Sequence, residues 1–146
     1  MLTTPPTADV AGHLRLVVAR TARRVRQEAG ADLSPSLISA LASIDRHGPL
    51  TPSELAAHER VQRPTATRLL SRLEEAGLIE RASDPADRRS SLISVSAGGR
   101  TLLRRQRSRK NQYLARRLAT LDADEVATLE RAATILERML DEEGRR

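Results

Sequence analysis

Two sets of helix start and stop signals and one charged hairpin tip follow one another between Thr51 and Ser96, and few folds accept that order at that spacing. The first helix opens on a capping box: Thr51 can accept from the amide of Glu54 while the Glu54 carboxylate reaches back to the amide of Thr51. Pro52 falls at the first helical position, which needs no backbone donor, and Leu50 and Leu55 are placed to staple the entry. A second helix is predicted over Gln62 to Ala76, with Pro64 in its first turn and Gly77 just past its end, at the position that takes a left-handed backbone. Two strands, Leu78 to Ala82 and Ser90 to Val95, then flank the tip Asp84-Pro85-Ala86-Asp87-Arg88-Arg89.

At about 100° per residue, Ala66, Leu69, Leu70 and Leu73 gather on one side of the second helix. Pro64, Arg68, Ser71 and Arg72 face the other side, with Thr65 and Thr67 at its margins. No acid occurs from Val61 to Leu73, as a surface laid against phosphates requires, although charged outer faces are also ordinary on solvated helices. A helix-turn-helix followed by a basic hairpin is a shape that grips duplex DNA. An arginine carried on a rigid hairpin suits the negative potential of a narrow minor groove, which makes Arg88 or Arg89 the candidate there. Asp87 beside them would be repelled by DNA unless it orients a guanidinium. The alternative for all three is a solvated hairpin tip.

At 146 residues without cysteine the chain reads as one domain, 1–146, with no disulfide, zinc-thiolate or thiol-redox chemistry open to it. No apolar run approaches the ~20 residues of a membrane helix, and Met1 to Thr7 carries no export signal, so a cytoplasmic protein with no membrane partner is expected. The formal charge of +6 favours a polyanionic partner without identifying it. Its distribution is more informative: Ala97 to Leu121 holds eight basic residues and no acid, while Asp122 to Arg146 holds eight acids against four arginines. Pairing between these segments, within or between subunits, is the leading explanation of the basic run, and phosphate contact is the other.

Outside the central unit, Val10, Leu14, Val17, Val18, Thr21 and Val25 form a helical stripe, with Leu16 on the far side. Ser34 and Pro35 start a helix that buries Leu37, Ile38, Leu41 and Ile44 and stops at Gly48, a scaffold for the helix-turn-helix. Ser96 caps a long helix that is apolar at Leu102 and Leu103, wet or paired with acids from Arg104 to Gln112, and apolar again at Tyr113, Leu114, Leu118 and Leu121. Asp122 and Glu125 start a last helix whose seam is Val126, Leu129, Ala133, Leu136 and Leu140. The predicted fold is therefore mainly α with a two-stranded β-wing: a winged helix-turn-helix over 34–96, framed by dimerisation helices over 8–30 and 97–143. Candidate dimer contacts are Leu14, Leu16, Val18, Leu118, Val126, Leu129, Leu136 and Leu140. A two-fold pair would set its reading helices about one DNA turn apart, ~34–36 Å, which calls for an inverted-repeat site.

From about Ala8 to Leu140 the chain resembles the MarR family of bacterial transcriptional regulators. The specific stretches are Val61-Gln62-Arg63-Pro64-Thr65-Ala66-Thr67-Arg68, Leu73-Glu74-Glu75-Ala76-Gly77-Leu78-Ile79 and the tip Asp84 to Arg89; Val95-Ser96 stands where the family often has Leu-Thr. The resemblance implies a triangular homodimer that binds palindromic operators in double-stranded DNA and usually represses nearby genes. Carried onto this chain, it assigns groove contacts to Arg63, Pro64, Thr65, Thr67 and Arg68, and the wing contact to Arg88 or Arg89. Many relatives release DNA when a small phenolic or amphipathic molecule binds between the dimer helices and the winged region.

For such an effector the chain offers little aromatic surface, since it has no Phe, no Trp and only Tyr113. His13, His47 and His58 lack the spacing of a metal cluster, and His13 is the one placed for a ligand contact. No cofactor is expected. No nucleophile–base pair, carboxylate dyad or phosphate loop is present, and Gly98-Gly99 reads as a permissive helix start, so an enzyme is not expected. Two other functions remain open. A sequence-tolerant architectural DNA-binding protein would rely on the basic run more than on the reading helix, and a protein-interaction module would not need Arg88 and Arg89.

Overall fold

The computed structural model describes residues 5–30 and 32–144. The start of the N-terminal segment, Ala31, and Arg145 and Arg146 of the acidic segment lie outside the described residues. Six helices and two strands follow in order: α1 Thr7–Glu28, α2 Pro35–His47, α3 Pro52–Glu59, α4 Arg63–Glu75, β1 Ile79–Ser83, β2 Ser91–Val95, α5 Ala97–Leu118 and α6 Ala123–Glu143. By its internal contacts the chain divides into two compact units, one ending at Lys110 and one beginning at Asn111, with α5 contributing to both.

In the first unit α2, α3, α4 and the sheet enclose the core. Leu41, Ile44, Leu50, Leu55, Leu70, Leu73 and Ile93 are its largest fully buried side chains; each contributes about 1.5–3 kcal/mol by leaving water. β1 and β2 pair antiparallel, Ile79 opposite Val95 and Ser83 opposite Ser91. Leu50 adds a one-residue bridge to β2, exchanging two backbone hydrogen bonds with Ile93 at 3.1 and 2.8 Å. A fully buried Leu50 needs partners for its amide and carbonyl, and β2 supplies both.

The helix ends follow the expected chemistry with one change. The Ser34 and Thr51 hydroxyls accept from the amides of Leu37 and Glu54. The Glu54 carboxylate, however, accepts from the Thr51 hydroxyl at 3.2 Å instead of reaching the Thr51 amide, so that one hydroxyl both accepts and donates. At the far end of α4, Gly77 has φ +72°, and the amides of Gly77 and Leu78 bond to the carbonyls of Glu74 and Leu73, both at 2.9 Å. α3 ends in the same way, with the amides of Arg60 and Val61 on the carbonyls of Ala57 and Ala56, but the left-handed residue is Arg60 at φ 53°. That position has no glycine to mark it in the sequence.

Ser96 couples the wing to α5: its buried hydroxyl donates to the Gly77 carbonyl at 2.6 Å and accepts from the Gly99 amide at 3.1 Å. A Cβ on Gly99 would stand 2.2 Å from the Leu78 carbonyl oxygen, so only glycine permits this approach. α5 then buries Leu102, Leu103 and also Gln106. The stretch expected to be wet or paired with acids therefore contains one buried polar residue, while Arg104, Arg105, Arg107 and Arg109 stay exposed. α1 buries no residue, and Val10, Leu14, Leu16, Val17 and Val18 are each exposed.

The second unit contains the end of α5 and α6, which opens on a complete capping box: the Glu125 amide donates to Asp122 at 2.8 Å and the Asp122 amide to Glu125 at 3.1 Å. α6 buries no residue; Val126 and Leu136 are half-buried, as is Leu118 on α5, while Leu129, Ile135, Met139 and Leu140 are exposed. Among the described residues no ion pair lies within 111–144. No helix is long and apolar enough to cross a membrane among the described residues.

Candidate nucleic-acid interface

α4 is held by the side that packs and exposes the side that does not. Ala66, Leu70 and Leu73 are buried, whereas Arg63, Pro64, Thr67, Arg68, Ser71 and Arg72 are exposed and Thr65 is half-buried. Thr67 donates its hydroxyl to the Arg63 carbonyl at 3.0 Å, which leaves its oxygen lone pairs outward as acceptors. The Arg68 guanidinium lies 3.5 Å from the Thr65 hydroxyl, a weak tether that steadies it on the outer face. No side chain caps the start of α4, and no acid lies in its first turn, so positive potential there is not neutralised locally.

The wing tip is built from two Asp side chains turned onto their own backbone. Asp84 accepts from the Ala86 amide at 2.9 Å, and Asp87 from the Arg89 amide at 3.0 Å. Asp87 is expected to orient a guanidinium; its carboxylate instead accepts from the Arg89 amide and closes the local turn, and it makes no ion pair among the described residues. Arg88 and Arg89 are thereby left exposed. Behind the tip, Arg81 ties the wing to the reading helix, its Nε 2.6 Å from Glu74 near the end of α4 and its Nη1 3.4 Å from Ser91 on β2. Neither residue of this pair carries an expected role from the sequence, since helix end and strand are brought side by side only by the turn at Gly77.

The first unit also contains a cavity of about 740 Å³, with Arg23, Arg26, Leu33, Ile38, Gln106 and Lys110 on its wall. Gln106 is 4% exposed and its Nε2 has no hydrogen-bond partner. Beside the cavity, Arg109 of the basic run bonds to the Ala29 carbonyl at 3.0 Å and pairs with Asp32 at 3.4 Å. His13 is not among the lining residues. Nor was the stacking of His47 on His58 expected; their rings lie 4.0 Å apart and 6° from parallel. No cluster of three metal-ligating side chains occurs among the described residues.

A sequence model of the MarR family matches residues 33–91, the stretch from the start of the scaffold helix to the second wing strand. An uncharacterised HTH-type transcriptional regulator of Mycobacterium bovis is 38% identical over 136 residues, covering 92% of this chain and 95% of its own. The multiple antibiotic resistance protein MarR of Salmonella typhimurium is 37% identical over 100 residues, 68% of this chain and 69% of its own. A crystal structure of a putative transcriptional regulator from Pseudomonas aeruginosa superposes with a TM-score of 0.82 at 38% identity, covering 93% of this chain and 98% of that one. With these relatives, and with an exposed outer face of α4 that carries no acid up to Leu73 beside an arginine-tipped wing, the chain belongs to the MarR family of winged helix-turn-helix proteins and is a DNA-binding transcriptional regulator.

Proposed function

We propose that the protein acts as a homodimeric repressor that reads an inverted-repeat operator and lets go of it when a small molecule binds. The observation that carries this reading is the outer face of α4, where Arg63, Pro64, Thr65, Thr67, Arg68 and Arg72 stand without an acid beside a wing that exposes Arg88 and Arg89. In this reading the α4 residues enter the major groove and one wing arginine enters the minor groove. The apolar surfaces left uncovered on α1 and α6 meet a second copy, Leu14, Leu16 and Val18 from one helix and Val126, Leu129, Leu136 and Leu140 from the other, with Leu118 of α5. Pairing of the basic and acidic segments between subunits would add to that contact.

The cavity is the effector site in this proposal. Arg23, Arg26 and Lys110 suit an anionic group, Leu33 and Ile38 an apolar body, and the unpartnered Gln106 amide a carbonyl or carboxylate oxygen. Selection of bound sites from a pool of random duplexes tests the regulator reading: recovery of one motif with two-fold symmetry is expected. Recovery of no motif, with retention that depends only on salt, would favour the architectural reading, which rests on the exposed Arg104, Arg105 and Arg107.

A further inference from the structure

Glu59 ends α3 with a negative charge, although the carbonyl end of a helix disfavours one. A second difficulty is its neighbourhood: it stands four residues before Arg63, at the edge of a surface that faces phosphates in the proposed function. Both costs are offset by the same contacts. Oε1 of Glu59 accepts from the Ser43 hydroxyl at 2.7 Å and Oε2 from the Ser39 hydroxyl at 2.8 Å. Those serines lie one turn apart on α2, so the carboxylate is held at two points by a helix whose other face, Leu37, Ala40, Leu41 and Ile44, is core. The residue after Glu59 is the left-handed Arg60, and α4 starts at Arg63. Any rotation of the end of α3 therefore passes through a short, fixed turn into the reading helix.

We propose that Glu59 is a positioning residue for operator reading: the Ser39–Glu59–Ser43 latch sets the angle at which α4 presents its outer face, and without it the helix still folds but no longer meets base edges in register. The inference rests on the DNA-reading role proposed above. It accounts for an acid in an otherwise unfavourable place, and for two hydroxyls aimed at one half-buried carboxylate. Base-edge contacts carry the discrimination between sequences, whereas phosphate contacts carry none directly and are available on any duplex. Loss of the latch should thus be felt on the operator and not on random DNA.

The test compares full-length wild type, Glu59→Ala, the double variant Ser39→Ala/Ser43→Ala, and the combined triple variant. Each is measured on the selected operator and on a scrambled duplex at one salt concentration, well below its own melting temperature. The expected result is an operator affinity lowered about tenfold in Glu59→Ala, scrambled-duplex affinity within about twofold of wild type, and a triple variant no weaker than Glu59→Ala alone. Glu59→Gln, which keeps one acceptor oxygen and gains a donor that a serine can accept, should recover part of the loss. Should Glu59→Ala fail to fold, the serine pair alone carries the test, since it removes only two hydroxyls. Unchanged operator affinity in the folded serine variant, or equal losses on both duplexes, would overturn the proposal. Wild type that finds no preferred sequence would instead remove the function on which it rests.

Discussion

Gly77 and Arg60 hold the same backbone conformation at the ends of successive helices, with the same pair of hydrogen bonds, and they make opposite predictions. A Cβ on Gly77 would meet nothing within 4 Å, so Gly77→Ala should cost only the left-handed penalty, about 1 kcal/mol of unfolding free energy. Arg60→Gly should raise stability by a similar amount, about 1 kcal/mol, since it relieves the penalty the arginine now bears. Chemical denaturation checks both; a destabilised Arg60→Gly would show that the arginine side chain contributes more than its backbone costs. On the reading face, Arg68→Ala should reduce discrimination between operator and scrambled DNA by ~1–3 kcal/mol if Arg68 bonds a base edge. Equal weakening on both duplexes would make it a phosphate contact. At this scale caps and stops were legible because they are local, as at Ser34, Thr51, Gly77 and Asp122. The partners of Glu59, the role of Arg60 and the burial of Gln106 were not, because each depends on a segment distant in sequence or on a backbone conformation that no glycine marks.

At the scale of elements, the wing is a short two-stranded sheet whose tip is stiffened by Asp84 and Asp87 and whose base is fixed by Arg81 to Glu74 and by Ser96 to Gly77. A hairpin held at both ends can place a charge reproducibly. Replacing Arg88 and Arg89 together with alanine should weaken DNA binding and lower the slope of log affinity against log salt by about 2 if both side chains displace counterions. An unchanged slope would take the tip off the DNA. The strands and the reading helix were readable from alternation and from the 3.6-residue period. The Leu50–Ile93 bridge was not, since a single residue carries no period.

For the whole molecule, α1 and α6 leave large apolar side chains exposed among the described residues. Leu16 is 48% exposed on α1 and Leu140 68% exposed on α6. Such surface is costly in water and is ordinarily covered by a partner. Truncation before Val126 should convert the protein to monomer in sedimentation velocity and cut operator affinity far more than affinity for a single half-site; a truncated protein that still sediments as a dimer would place the interface elsewhere. α6 was legible as a helix from its capping box and its sustained apolar repeat. The pairing of Arg109 with Asp32 was not legible, because complementary charge between the basic and acidic segments does not specify connectivity.

The proposed function depends most on two copies of α4 reading one duplex in phase. It is tested most directly by measuring the dissociation constant, at fixed salt, for the selected operator and for the same operator with roughly five base pairs inserted between its half-sites, half a helical turn. A dimer of fixed geometry predicts that the insertion reduces binding to the level of a single half-site. Equal affinity for the two duplexes would contradict it.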